Sequence, residues 1–298
     1  MARVVSVSTK RWRGLGRVVA TAVVALVSAA ALVGCSAASG VQTALPAGVS
    51  VSLFQNRSDY PIRHLEVQIH NTTKSTVTIR SGTFSSTFFV KPVAMRYVPY
   101  DLEPGDQVAF PVALPAAACD RPKPAPRVTV HFTDSAGRGT AIVTPKVLYN
   151  TLDEIHAHDC ALGTFEKVVA ITPGSAVTWS KDASGALVSH LDMTLTPTGA
   201  AGSVTLNSID NTTLLDMSLD ATYPLVLSAS SAPLTLTLSA TPSRCETHAL
   251  GEDKIGTVVP FHVTTSAYVN GYFGLVLSNK LKFEYYHYFA LACGYPPE

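Results

Sequence analysis

From residue 49 onward, apolar and polar residues alternate over short runs separated by turn-forming clusters. Leu65, Val67 and Ile69 alternate with Glu66, Gln68 and His70, and Val77 and Ile79 resume the alternation after the polar turn Asn71–Ser75. Val108, Phe110, Val112 and Leu114 follow the turn Glu103-Pro104-Gly105-Asp106, and Val128, Val130 and Phe132 precede Asp134-Ser135-Ala136-Gly137. A period of two places alternate side chains on opposite faces of a strand, so each run predicts a half-buried β-strand. The second half reads alike. Val177 and Trp179 precede Asp182–Gly185; Leu191, Met193 and Leu195 follow, then Leu234, Leu236 and Leu238 among Ser and Thr, then Phe261 and Val263 and an aromatic C-terminal run. Many short strands with regular turn signals predict an all-β chain built from sandwiches.

One segment departs from this pattern. Thr151-Leu152-Asp153-Glu154 has the form of a capping box, with Thr151 as N-cap, and predicts a helix of two or three turns toward Cys160. The chain also repeats itself weakly. His64-Leu65-Glu66-Val67 and His190-Leu191-Asp192-Met193 each lie 55 residues before a cysteine, Cys119 and Cys245, and a second cysteine follows each, Cys160 and Cys293. The expected organisation is therefore two tandem sandwiches, residues 47–162 with the helix at its end and residues 163–298, after a Ser/Ala/Gly-rich tether over 35–46.

Four cysteines allow three pairings. The repeat favours one bridge per domain, Cys119–Cys160 and Cys245–Cys293, each contributing about 3–4 kcal/mol on a chain-entropy estimate. Disulfides point to an oxidising, extracytoplasmic compartment. The fifth cysteine is Cys35. It follows a basic segment (Arg3, Lys10, Arg11, Arg13, Arg17) and an uncharged apolar run from Val18 to Val33, the order of a secretory signal. Leu32-Val33-Gly34-Cys35 resembles the lipobox of bacterial lipoproteins. That resemblance implies cleavage before Cys35, lipidation of its thiol, and anchoring on the extracytoplasmic face of the cell membrane.

Export would change the charge. Residues 1–34 hold five of the 22 basic residues and none of the 21 acidic ones, leaving 17 against 21 and a net charge of −4. With no basic cluster after residue 17, nucleic acid is not an expected partner. The segment from His64 to Asn71, its polar turn, Thr76–Ile79 and Leu102-Glu103-Pro104-Gly105 resembles the phrase structure of bacterial immunoglobulin-like modules over residues 49–115. With the lipobox, the chain resembles actinobacterial envelope lipoproteins carrying immunoglobulin-like domains. That likeness carries no active site with it.

The candidate chemistry is sparse. Asp153, His156, His158, Asp159 and Cys160 are the densest group of potential metal ligands. On a helix, residues two apart do not face each other, and the expected bridge occupies Cys160. His156 and His158 are therefore the metal candidates, and no metal or cofactor is expected. There is no G-x-S-x-G elbow, no H-E-x-x-H and no glycine-rich phosphate loop, so a non-enzymatic module is expected. Its partner would be another envelope component or, as the alternative, a captured small ligand or metal ion. Two surfaces are candidates for contact: the polar loop Gln55–Arg63, whose arginines suit an anion, and the aromatic run from Tyr268 to Phe289. The latter reads chiefly as alternate rings filling the second core.

Overall fold

Alternation along the chain becomes two successive sandwiches in the computed structural model, which describes residues 41–251 and 253–295. The first uses nine strands: β1 Val49–Phe54, β2 His64–Asn71, β3 Val77–Ser85, β4 Val93–Ala94, β5 Tyr100–Leu102, β6 Gln107–Ala113, β7 Arg127–Asp134, β8 Gly137–Val143 and β9 Lys146–Val147. One sheet has the order β6-β2-β1-β9; the other is β4-β3-β7-β8, with β5 also on β3. Leu53, Leu65, Val67 and Ile69 from the first meet Ile79, Phe84, Val130 and Phe132 from the second in one buried cluster. All pairings are antiparallel except the short β1–β9 pair. This is an immunoglobulin-like arrangement.

The resemblance noted around Asn71 has a physical basis. The Asn71 side chain is fully buried. Its Nδ2 donates to the carbonyls of Ser75, Leu102 and Glu103, and its Oδ1 accepts from Thr73 N–H. One amide therefore ties the β2–β3 turn to the Leu102–Gly105 turn. Gly105 closes the latter at φ 90°, a conformation that suits glycine, and donates its N–H to Asn71 O at 2.7 Å.

The second sandwich uses β10 Val169–Pro173, β11 Thr178–Lys181, β12 Leu187–Pro197, β13 Ser203–Ile209, β14 Leu215–Leu219, β15 Leu225–Ser228, β16 Leu234–Pro242, β17 Val258–Thr264 and β18 Gly271–Val276. Its sheets run β10-β12-β16-β14, with β11 on β12, and β15-β13-β17-β18. The repeat survives in three dimensions. The paired motifs lie on β2 and β12, the second long strand of each half. The register of β3 on β7 shifts between Ile79 and Ser81, and that of β13 on β17 shifts between Leu206 and Ser208. Each half also ends in a helix bridged to the loop after β6 or β16. Both expected disulfides are present, Cys119–Cys160 and Cys245–Cys293.

Three helices complete the described residues: α1 Thr151–Val168, α2 Thr247–Gly251 and α3 Asn279–Ala292. Two depart from expectation. The N-cap of α1 is Asn150 in a left-handed conformation, not Thr151, whose hydroxyl donates back to Leu148 O. The helix is 18 residues long and runs beyond Cys160 to Val168, straight through the expected boundary at 162/163. Packing explains this: Leu152 and Ile155 belong to the first core, and Ala161, Phe165 and Val168 to the second. α1 is thus shared by both cores rather than being a short appendage of the first.

The C-terminal aromatics are the other departure. They form β18 and then α3, whose buried residues Leu281, Tyr285, Tyr288 and Phe289 follow a helical rather than an alternating spacing. Ser278 caps α3 by accepting from Leu281 N–H. The reading of this run as core holds for these rings, while Phe283 is exposed. The tether also ends earlier than residue 46. Gln42 bridges to Gly139, and its Nε2 donates to Asp134 at 2.8 Å. The signal segment 1–34 and Cys35 lie outside the described residues.

Candidate functional site

The groups with most chemistry gather around the middle of α1. One turn of helix separates His156 from Cys160, which puts both on one face. The first half's β6–β7 loop comes to that face, bringing Cys119 into the bridge and Ala118 O to 3.1 Å from His156 Nε2. The imidazole lies flat on Phe88, with ring centroids 3.7 Å apart and 12° between planes. His156 Nε2 is also 3.6 Å from Cys160 Sγ. Cys160 is wholly buried and His156 nearly so, whereas Cys119 is exposed. Cys119 opens onto a cleft of about 1220 Å³, walled also by Arg63, Arg121, Asp159, Thr164 and Lys167.

His158, two residues on, faces the other way. Its ring sits 4.7 Å from Tyr272 of β18 and 6.1 Å from Tyr60 of the β1–β2 loop. Burial holds its pKa below the ordinary histidine value, against the opposing pull of Glu154 and Asp159. The two histidines named as metal candidates are therefore not brought to a common point. Small cavities of about 270 and 290 Å³ flank Tyr60 and His158 on either side.

In the loop Gln55–Arg63, considered above for anions, Tyr60 and Arg63 are engaged within the molecule while Arg57 is exposed. Tyr60 Oη accepts from Gly274 N–H at 3.0 Å, covering a free backbone donor of β18. Burial raises the Tyr60 pKa to about 12. Arg63 sits at φ 53° and makes a two-pronged ion pair with Asp159 of α1, its Nη2 also donating to Pro115 O at 3.0 Å. A bidentate guanidinium–carboxylate pair fixes orientation as well as charge. The loop thus latches the first sandwich to α1 and to β18.

Beneath it lies Glu66, 7% exposed, with Oε2 lacking any hydrogen-bond partner. Burial, reinforced by the nearby Asp59 carboxylate, raises its pKa to about 7. Sequence reasoning missed Tyr60, Phe88 and Glu66. The i, i+4 spacing of His156 and Cys160 is the sequence signal for the sulfur site, within the group of potential metal ligands from Asp153 to Cys160.

Comparison with known proteins adds little. No family model matches the chain, and no curated protein matches it. Among solved structures it is similar to a chain described as the BSP domain of a biofilm associated protein, at 7% identity and a TM-score of 0.21, over 79% of this chain and 60% of that one. It is similar to the B domain of a biofilm associated protein at 8% identity and a TM-score of 0.21, over 76% of this chain and 84% of that one. A third is a chaperone–tip adhesion subunit pre-assembly complex from Csu pili of Acinetobacter baumannii, at 10% identity and a TM-score of 0.18, over 75% of this chain and 98% of that one. The chain thus spans less than two thirds of the first of these. At such scores the likenesses carry no functional argument.

Proposed function

We propose that this chain is a lipid-anchored extracytoplasmic envelope protein that works by binding rather than by catalysis. The supporting observation is the cysteine pattern: four of the five cysteines close two bridges, and the remaining one, Cys35, ends a lipobox-like tetrapeptide. Disulfides in both halves suit an exported protein. Six residues separate Cys35 from Gln42, where the chain is hydrogen-bonded to β8.

The two sandwiches then act as one stiff presenting body. α1 contributes side chains to both cores, and the Tyr60 and Arg63 contacts oppose hinging between them. A fixed relation between two domains reduces the ordering cost of engaging a partner with both. The partner expected is another envelope component. Among the described residues no helix is long and apolar enough to cross a membrane, and the anchor in this reading is the lipid.

Replacing Cys35 by Ala tests the proposal. Membrane fractionation should show the wild type in the detergent-extracted membrane fraction and the variant either as unprocessed precursor or as released protein. Equal membrane retention of a processed variant would refute lipid anchoring.

A further inference from the structure

The internal repeat offers a control for the sulfur site. In both halves a helix following the last strands is bridged to the loop after β6 or β16. Four residues before its bridged cysteine, Cys293, which caps the end of α3, the second half has Phe289, fully buried. The first half has His156 at the same offset from Cys160. Packing at this place is met by an apolar ring, so the imidazole adds something that the staple alone does not require. It stacks on Phe88 as a ring would, yet its Nε2 is directed at Cys160 Sγ and Ala118 O.

We propose that the Cys119–Cys160 bridge is a reducible cover over a Cys₂His site for a thiophilic divalent cation such as zinc. The ligand atoms of Cys119, His156 and Cys160 all lie within 4.8 Å of one another. In a tetrahedral zinc site, metal–sulfur bonds of about 2.3 Å and metal–nitrogen bonds of about 2.0–2.1 Å place a sulfur and a nitrogen ~3.6 Å apart. His156 Nε2 and Cys160 Sγ are 3.6 Å apart already. The two sulfurs must separate to ~3.8 Å for the same geometry, and Cys119, exposed on a loop, is the one placed to turn. The fourth position then falls to water from the cleft. Such a site is of the three-ligand kind that keeps one position open.

The chemistry balances with a dithiol as reductant. One of its thiolates attacks the exposed Cys119 sulfur, the Cys119–Cys160 bond breaks, and Cys160 leaves with the electron pair as a thiolate. Its second thiolate then displaces Cys119, yielding the cyclic disulfide of the reductant and two protein thiols. Metal binding releases the remaining thiol protons. His156 ligates through Nε2 by moving its proton to Nδ1, giving up the bond to Ala118 O. This inference does not rest on lipid anchoring. A chain that is never acylated would still bind the cation, and an acylated chain that binds none would leave the anchoring proposal intact.

The test uses the full chain, reduced anaerobically with dithiothreitol, freed of reductant and titrated with cobalt(II). One equivalent should bind with a thiolate-to-cobalt charge-transfer band, be displaced by zinc, and protect Cys119 and Cys160, but not Cys245 and Cys293, from alkylation. The oxidised chain should show no such band. His156→Phe, which places in the first half the residue the second half already holds, should keep the β-rich circular dichroism and weaken cobalt binding at least tenfold. The proposal is overturned if reduction abolishes the folded circular dichroism, if the reduced folded chain takes up no cobalt, if protection falls on Cys245 and Cys293, or if His156→Phe binds as tightly as the wild type.

Discussion

Glu66→Gln isolates the cost of an ionised carboxylate in the first sandwich. The acid is 7% exposed, Oε2 has no partner, and its pKa is raised from 4.5 to about 7. Burial is the main cause and the Asp59 carboxylate the second. A folded pKa above the unfolded one means that the native state binds the proton more tightly. The contribution from Glu66 is therefore fully favourable below about pH 4.5 and is lost as pH rises through about 7. A shift of this size corresponds to an upper value near 3 kcal/mol. Residual solvent access near the loop lowers this to about 1–3 kcal/mol. Glutamine resembles the protonated acid in shape and neutrality, so the variant should gain that amount at pH 8 and almost nothing at pH 4.5. For a chain of this length the gain at pH 8 is a rise of roughly 2–6 °C in Tm. Differential scanning calorimetry at both pH values is the assay. No gain at pH 8, or an equal gain at both pH values, would refute the assignment of a buried, unpaired charge.

Further outcomes follow from the joint between the sandwiches. Phe165 of α1 is fully buried in the second core, so Phe165→Ala should cost about 3–5 kcal/mol; because α1 also enters the first core, chemical denaturation should remain a single transition, and two separated transitions would contradict the shared helix. Tyr60→Phe leaves the Gly274 N–H without its acceptor and should cost about 1–2 kcal/mol, with faster hydrogen exchange at Gly274; unchanged exchange would show that the latch is not formed. His158 is held neutral by burial, so its contribution is present above its unfolded pKa and lost as pH falls through the lower folded one. His158→Phe in the Glu66→Gln background should therefore reduce the loss of Tm between pH 7 and 5, and an unaltered loss would remove His158 as its source.

Strand positions were legible because each sandwich has one buried face per sheet, which imposes a period of two on the sequence. The bridges were legible because the repeat preserves the distance from the second strand to the cysteine after β6 or β16. The extent of α1 was not. Gly163 and Thr164 are poor helix formers, and the Thr164 hydroxyl bonds back to Cys160 O, so local propensity ends the helix near Cys160. Burial of Ala161, Phe165 and Val168 in the second core overrides it. The aromatics from Phe283 to Phe289 fit either period. Their β-propensity argues for a strand, and burial at Leu281, Tyr285, Tyr288 and Phe289 decides for a helix. Tyr60 and Gly274 are 214 residues apart, and no local pattern announces such a contact.

The central claim is that the mature chain begins at an acylated Cys35 and carries both disulfides. Intact-mass spectrometry of the chain extracted from membranes, followed by peptide mapping without reduction, measures this directly. The account predicts an N-terminal Cys35 bearing acyl mass, with Cys119 joined to Cys160 and Cys245 to Cys293. A mature N-terminus elsewhere, or a Cys35 of unmodified mass, would contradict it.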